Sequence, residues 1–390
     1  MSGSSTPVAG ELRFEATDAV RGALAGMGRT EDLRFSPDGR RLAFACYANE
    51  RIAIADVEID GSSTGRSIAL TRLVYLESPR LREPHGIDFV DDETIVVGNR
   101  GGAVDVFRFR IDPMELELVA RAGDGSGLLD SPGSVVVRAL ADGGQEVLAC
   151  NNWRNTVTRH PLVADGDTAT GEVAARAWLD LPDGLALSSD GRWLAVSSHN
   201  THTVLIYAFP AGAEDAAPVG MLRGVRYPHG LRFAKDGRHL LVADAGSPYL
   251  HSFASSGDWR GVRLPAATLR VVDDEAFARG RKNPAEGGPK GLDVEPRTNV
   301  VAVTLEEQAL AFFDLDSAID RQPDDSHNLQ MEYESFILGE AQERIALAEE
   351  TAAHARAQLA ETLATKAWRM TAPARRVRAA MKLHVRRDSA

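Results

Sequence analysis

Cysteine is nearly absent. The 390 residues include two, Cys46 and Cys150, too few for a disulfide framework and suited to a reducing cytoplasm. No apolar run nears the roughly 18 residues a spanning helix needs. The segment MSGSSTPVAGELRFEATDAV lacks a basic start followed by an apolar stretch, so it does not read as a secretory signal. No nucleophile elbow, P-loop, dinucleotide fingerprint or CxxC occurs. What remains is globular: 44% apolar, 26% charged, with 35 Gly and 18 Pro. Wholesale disorder and collagen-like structure are excluded.

Charge is uneven. The formal net is -12, yet the segment from Lys366 to Ala390 carries +7, leaving -19 on residues 1–365. Phosphate neutralisation needs a basic face, so the acidic body excludes a nucleic-acid partner.

One unit recurs six times: TEDLRFSPDGRRLAFAC (30–46), PHGIDFVDDETIVVGN (84–99), PGSVVVRALADGGQEVLACN (132–151), PDGLALSSDGRWLAVSS (182–198), PHGLRFAKDGRHLLVAD (228–244) and PKGLDVEPRTNVVAVT (289–304). Aligned at Asp32, Gly86, Ser134, Gly184, Gly230 and Gly291, the copies are spaced by 54, 48, 50, 46 and 61 residues. Each has turn chemistry between two β-rich runs, a hairpin signal. A third run follows: IAIADV (52–57), AVDVFRF (103–109), TVTRHPL (156–162), TVLIYAF (203–209), YLHSFA (249–254) and ALAFFDL (309–315). Fourth runs include ARAWLDL (175–181) and TLRVV (268–272). Four strands per unit of about 50 residues make a propeller blade. The expected fold is all-β, a six-bladed β-propeller over residues 1–331, with LRFE (12–15) closing the sixth blade.

The Pro-His-Gly and Pro-Asp-Gly starts and the Ser-Pro-Asp-Gly-Arg hairpin resemble the propeller superfamily of the gluconolactonase/regucalcin, YVTN and NHL families, over residues 12 to about 316. That superfamily includes lactonases, lyases and binding scaffolds, so the resemblance implies architecture before activity.

Strands 1 and 2 of a blade are antiparallel, so the start of one and the end of the other share one end of the channel. Starts give Glu31, His85, Gly133, Asp183, His229 and Lys290; ends give Cys46, Asn99, Asn151, Ser198, Asp244 and Thr304. Following loops add Arg100, Asn152, Trp153 and His199. The hairpins with Asp38, Asp142, Asp190 and Asp236 point the other way. In a six-fold ring His85 opposes His229 and Glu31 opposes Asp183. These four are the expected ligands of one divalent ion, zinc or manganese rather than calcium because nitrogen joins oxygen. Asn99, Arg100, Asn151, Asn152, His199, Asp244 and Lys290 are the expected ligand-binding set, with Lys290 facing a carboxylate or phosphate. Regucalcin-type lactonases use a Glu of the first blade with later Asn or Asp residues. Glu31 and Asp183 match in type; His85, Gly133 and His229 differ. Cys46 and Cys150 read as small buried side chains.

Past residue 332 Pro and Gly nearly vanish. Leu338, Ala341, Ile345, Ala348, Ala352, Ala355, Leu359 and Thr362 alternate spacings of 3 and 4, a heptad seam. Residues 332–366 are therefore expected to be a coiled-coil helix, joining copies through 337–366. Residues 367–390 form a basic tail. Within it Val377, Ala380, Met381 and His384 line a stripe among six basic residues, pointing to an anionic membrane surface bound through 373–387. AWRMTAPAR (367–375) resembles a segment near the end of many bacterial cell-surface polysaccharide glycosyltransferases.

Three functions follow as expectations. The first is a cytoplasmic protein, peripheral to the inner membrane face. It would bind a saccharide or activated sugar at the channel mouth and act beside glycosyltransferases in O-antigen- or capsule-like assembly. The second is a metal-dependent lactonase, hydrolase or lyase using Glu31, His85, Asp183 and His229. The third is a non-catalytic protein-interaction scaffold.

Overall fold

The computed structural model describes residues 8–61, 65–123, 126–162, 171–210, 214–283, 285–320 and 326–364. They form two compact units, Met1–Gln330 and Met331–Ala390.

The first unit is a six-bladed propeller of six separate sheets. The inner strands are Asp32–Phe35, Pro84–Asp91, Pro132–Ala139, Pro182–Leu187, Pro228–Phe233 and Pro289–Val294. Each pairs antiparallel with the next strand of its blade, which ends at Cys46, Asn99, Asn151, Ser198, Asp244 or Leu305. The inner and second strands meet at turns whose glycines have positive φ in four blades: Gly39, Gly143, Gly191 and Gly237. At Gly39 and Gly191 a serine three residues before the glycine, Ser36 or Ser188, donates its hydroxyl to Asp38 or Asp190. The Ser-x-Asp-Gly spacing is thus a turn device at the end opposite the site.

The ring is closed by the N-terminal segment. Glu11–Leu12 pairs antiparallel with Ala311–Asp314, the third strand of the sixth blade, and the Phe14 ring packs edge-on against buried Phe312, centroids 5.6 Å apart. The closing strand thus overlaps the expected LRFE (12–15) at Leu12 and begins one residue earlier. Glu15–Ala16 then leaves that sheet and adds in parallel to Ser67–Glu77 of the first blade, so one short segment ties the two blades together.

Two sequence expectations need correction. ARAWLDL (175–181) is not a strand beyond its first residue: the fourth strand of the third blade is Glu172–Ala175. The residues after it turn back toward Pro182, with Trp178 and Leu181 at positive φ. Leu179 is buried as a loop plug, which imitates a strand in hydropathy. The fourth and fifth blades also share a strand unforeseen in the sequence. Gly261–Arg263, from a loop of the fifth blade, adds in parallel to Gly220–Leu222 of the fourth.

Carboxylates link adjacent inner strands. Asp32 accepts from the Ile87 amide at 3.2 Å, Asp88 from Val137 at 2.7 Å, and Asp293 from Phe35 at 2.8 Å. Arg34 pairs with Asp32 at 2.6 Å and Arg232 with Asp293 at 2.8 Å. Asp32, Arg34 and Asp293 are buried and paired, as buried charges must be, while Asp88 and Arg232 are half-buried.

The C-terminal helix Ser326–Ala364 carries the expected seam. Leu338, Ile345 and Leu359, spaced by whole heptads, stand 61%, 59% and 58% exposed. The basic tail (367–390), including 373–387, lies outside the described residues.

Deleting residues 1–14 removes the closing pair and the Phe14–Phe312 contact. The melting temperature by calorimetry should fall by roughly 5 °C or more. Deleting 337–390 leaves both closing strands in place and should leave the propeller folded by circular dichroism.

Candidate functional site

Five blades deliver titratable side chains to one point of the channel. His85, Asp183, His229 and Lys290 each follow the proline that opens an inner strand, and Glu31 immediately precedes Asp32–Phe35. All five are buried. His229 Nε2 lies 2.9 Å from Asp183 Oδ2 and 3.3 Å from Glu31 Oε2. His85 Nε2 lies 3.6 Å from Asp183 Oδ1 and 3.7 Å from Glu31 Oε2. The two imidazoles stack, centroids 5.2 Å apart at 26°. Lys290 Nζ reaches Glu31 Oε2 at 3.3 Å.

Glu31, His85 and His229 each offer one ligand atom, and these atoms lie within 4.8 Å of one another. This group can hold a metal ion. Asp183, opposite Glu31 in the ring, touches both imidazoles without joining that mutual set.

Asp183 is held firmly. Arg100 Nη2 donates to its Oδ1 at 2.8 Å and Asn152 Nδ2 donates to the same atom at 3.0 Å. Asn152 enters because the third blade has Gly133 at the ring position. A Cβ on Gly133 would stand 2.9 Å from Asn152 Oδ1 and 3.2 Å from Asp183. The blade without a ligand atom thus makes room for one from the following loop.

Three residues that sequence reasoning missed complete the cluster. Glu286 accepts from Lys290 Nζ at 2.9 Å and contacts His199 Nε2 at 3.2 Å. Arg29 bonds Glu31, and Glu306 lies 3.9 Å from Arg29. Arg29 stands two residues before Glu31 and Glu286 four before Lys290, proximity that a search restricted to ring positions passes over.

The expected ligand-binding set divides. Arg100, Asn152, His199 and Lys290 are in the cluster. Asn99, Asn151 and Asp244 are occupied elsewhere. Asn99 Oδ1 accepts from the Arg82 amide at 3.2 Å, Asn151 Oδ1 from Asp130 at 3.0 Å, and Asp244 Oδ2 from Arg226 at 3.1 Å. Ser198 does the same for Asp180 at 3.0 Å. In every case the donor stands two residues before the opening proline. The ends of the second strands therefore fix the turn leading into the inner strand.

The electrostatics separate the two histidines. Burial and the nearby Arg100 push His85 down to about 3, so it is a neutral imidazole. Burial opposes charge on His229 too, but Asp183 and Glu31 outweigh it and raise it to about 9. Burial likewise opposes charge on Glu31 and Asp183; Lys290 and the histidines overcome it for Glu31, and His229, His85 and Arg100 for Asp183, leaving both ionised. Neither nitrogen of buried His85 has a hydrogen-bond partner; Arg100 Nε, Asn152 Oδ1 and His199 Nδ1 are also unpartnered.

In the metal-free protein the raised His229 stabilises the fold fully below about pH 6.5, and this contribution fades as pH rises through about 9. It amounts to something on the order of 3 kcal/mol. Urea unfolding should show stability declining from pH 6.5 to 9 in the parent, and a much flatter profile over that range in His229→Gln.

Comparisons with known proteins agree with the fold. Residues 7–137, which cover two blades and most of a third inner strand, match the Gmad1 family, described as the Lipoprotein LpqB beta-propeller domain. The sequence matches no curated protein. Among solved structures, the holo form of the pyranose dehydrogenase PQQ domain from Coprinopsis cinerea aligns with a TM-score of 0.52 at 13% identity, over 74% of this chain and 93% of that one. The calcium structure of a family AA12 carbohydrate-active enzyme from Trichoderma reesei aligns with a TM-score of 0.52 at 12% identity, over 79% and 96%. Such likenesses establish the propeller architecture and nothing of the chemistry. No helix among the described residues is long and apolar enough to cross a membrane.

Proposed function

We propose that this propeller is a divalent-metal-dependent hydrolase acting on a small ester or lactone. Glu31, His85 and His229 hold the ion, and Asp183 is the general base. The observation that carries this is the convergence of two imidazole nitrogens and a carboxylate oxygen at ligand spacing, around an imidazole that has no other partner.

The donor set fits a metal. In a tetrahedral site with bonds of about 2.0–2.1 Å, neighbouring ligand atoms stand about 3.3 Å apart. The distances to Glu31 Oε2 here are 3.3 Å from His229 and 3.7 Å from His85. A buried polar group without a partner costs about 1–3 kcal/mol, a cost that coordination would remove from His85. Two nitrogen donors with one carboxylate favour zinc or manganese over calcium, which prefers six or more oxygens.

When bound, the ion supplies Lewis acidity and makes a coordinated water more acidic. The protein supplies the rest. Lys290 and Arg29 keep Glu31 ionised and oriented as a ligand. Arg100 and Asn152 fix Oδ1 of Asp183. With His229 serving as a ligand, Oδ2 of Asp183 would be free of that contact and would be the group that takes a proton from the attacking water. Burial of all four side chains keeps bulk water from competing.

A second reading, saccharide binding, has its own support. Trp153 follows Asn152 directly and is 70% exposed, a face on which a sugar ring could stack. The glycosyltransferase-linked role, the membrane contact through 373–387 and a cytoplasmic inner-face location rest on residue patterns alone. Self-association through 337–366 rests on the exposed heptad residues Leu338, Ile345 and Leu359. Replacing Ile345 and Leu359 together with glutamate should reduce the oligomer to a monomer in light scattering; an unchanged mass would refute the interface.

Zinc titration by calorimetry should give about one ion per chain, lost in His229→Ala. Asp183→Asn should keep the ion yet lower ester or lactone turnover by roughly 10²–10⁴-fold. Full activity in Asp183→Asn would refute its role as base.

A further inference from the structure

The charges around this centre are not balanced once an ion is present. Three carboxylates, Glu31, Asp183 and Glu286, face three side-chain cations, Arg29, Arg100 and Lys290, through contacts of 3.9 Å or less. A divalent ion bound to neutral histidines therefore leaves an excess of +2. Adding Glu306, 3.9 Å from Arg29, still leaves +1. An excess positive charge in a water-poor channel is costly unless an anion joins it.

The side chains that would meet such an anion are at hand. Arg29 and Arg100 are the two cations of the cluster whose side chains remain partly open to solvent, at 33% and 25%. Lys290 is closed off behind them. Arg100 Nε is buried without a partner although its Nη2 is used by Asp183. The Arg29 guanidinium sits over the Tyr47 ring, 5.1 Å from its centroid, and the same ring meets His85 edge-on, centroids 6.3 Å apart. Tyr47 thus stands against one expected metal ligand and carries one of the two arginines.

Resting on the metal-centre reading, we infer that the ligand of this site is an oxyanion, a carboxylate or phosphate group. Its charge is met by Arg100 and Arg29, and one oxygen approaches the ion. Arg100 would be a specificity residue, pairing with the anion beside the ion. A neutral sugar or neutral lactone would bind more weakly, because it leaves the excess charge uncompensated.

The test uses cobalt(II) as the ion and its visible absorption as the readout, with acetate and inorganic phosphate as probes. The full-length protein should take up one cobalt, and each anion should change the spectrum saturably, while neutral glucose at equal concentration does not. The anion acting at lower concentration identifies which oxyanion the site prefers. Arg100→Gln should still bind cobalt but need roughly tenfold more anion or worse, and Arg100→Lys should recover part of the loss. Arg29→Met serves as the second variant should Arg100→Gln fail to fold. Failure to take up cobalt would overturn the metal reading and this inference with it. Uptake with a spectrum insensitive to both anions, or anion affinity in Arg29→Met and Arg100→Gln equal to that of the parent, would overturn this inference alone.

Discussion

Everything at the channel depends on how closely neighbouring inner strands approach, and glycine sets that distance. In four blades the residue after the ring position is glycine: Gly86, Gly184, Gly230 and Gly291. A Cβ on Gly184 would stand 1.7 Å from the His229 carbonyl oxygen, on Gly230 2.5 Å from that of Lys290, and on Gly86 2.4 Å from that of Gly133. On Gly291 it would stand 2.7 Å from the Asp32 backbone, across the point where ring ends meet. None of the four has a positive φ, so their role is close backbone contact rather than a turn. Four of the six seams between inner strands are drawn together in this way, and the channel narrows until side chains from opposite blades meet.

That closeness explains the energetics of the site. Side chains of opposite blades could not form ion pairs near 3 Å across a wide channel. Here the rings of His85 and His229, on opposite blades, stack with centroids 5.2 Å apart, and non-adjacent blades join through His229–Glu31 at 3.3 Å and Arg100–Asp183 at 2.8 Å, so each buried carboxylate is offset by a cation at hand. Removing one member would leave its partner buried and uncompensated, which is why the ring positions constrain one another. A second ring one turn of the pleat deeper, with Arg34, Asp88, Arg232 and Asp293, is instead spent on holding blade to blade.

The two sets of ring residues have different duties. The second-strand ends, Asn99, Asn151, Ser198 and Asp244, accept amides of the lead-in turns and so aim the first residues of the inner strands. The first residues, relieved of that duty, point their side chains at the channel axis. One set builds the geometry that the other set uses. In Asp244 the task is elaborated by Ser247 and His251, both bonded to the same carboxylate oxygen.

By itself the sequence determined the blade count, the hairpins and the positions that would face the channel. Those are local: alternation, Asp-Gly turns and a recurring tripeptide are written within 20 residues of each other, and strand pairing within a blade follows from them. It also placed Glu31, His85, Asp183 and His229 on one ring by six-fold symmetry. Tertiary structure decided which polar ring residues are free. Asn99 and Asn152 look equivalent as letters, yet one is consumed by a backbone amide and the other reaches Asp183 because Gly133 leaves space. Glu286 and Arg29, outside every repeat position, entered the cluster only through folding. The protonation of the two histidines was likewise undecided in the sequence. Both follow proline and precede glycine, but Arg100 stands by one and a carboxylate contact of 2.9 Å by the other. Identical local motifs acquire different charge, one neutral and one cationic, because electrostatic energy depends on distance through the fold rather than distance along the chain.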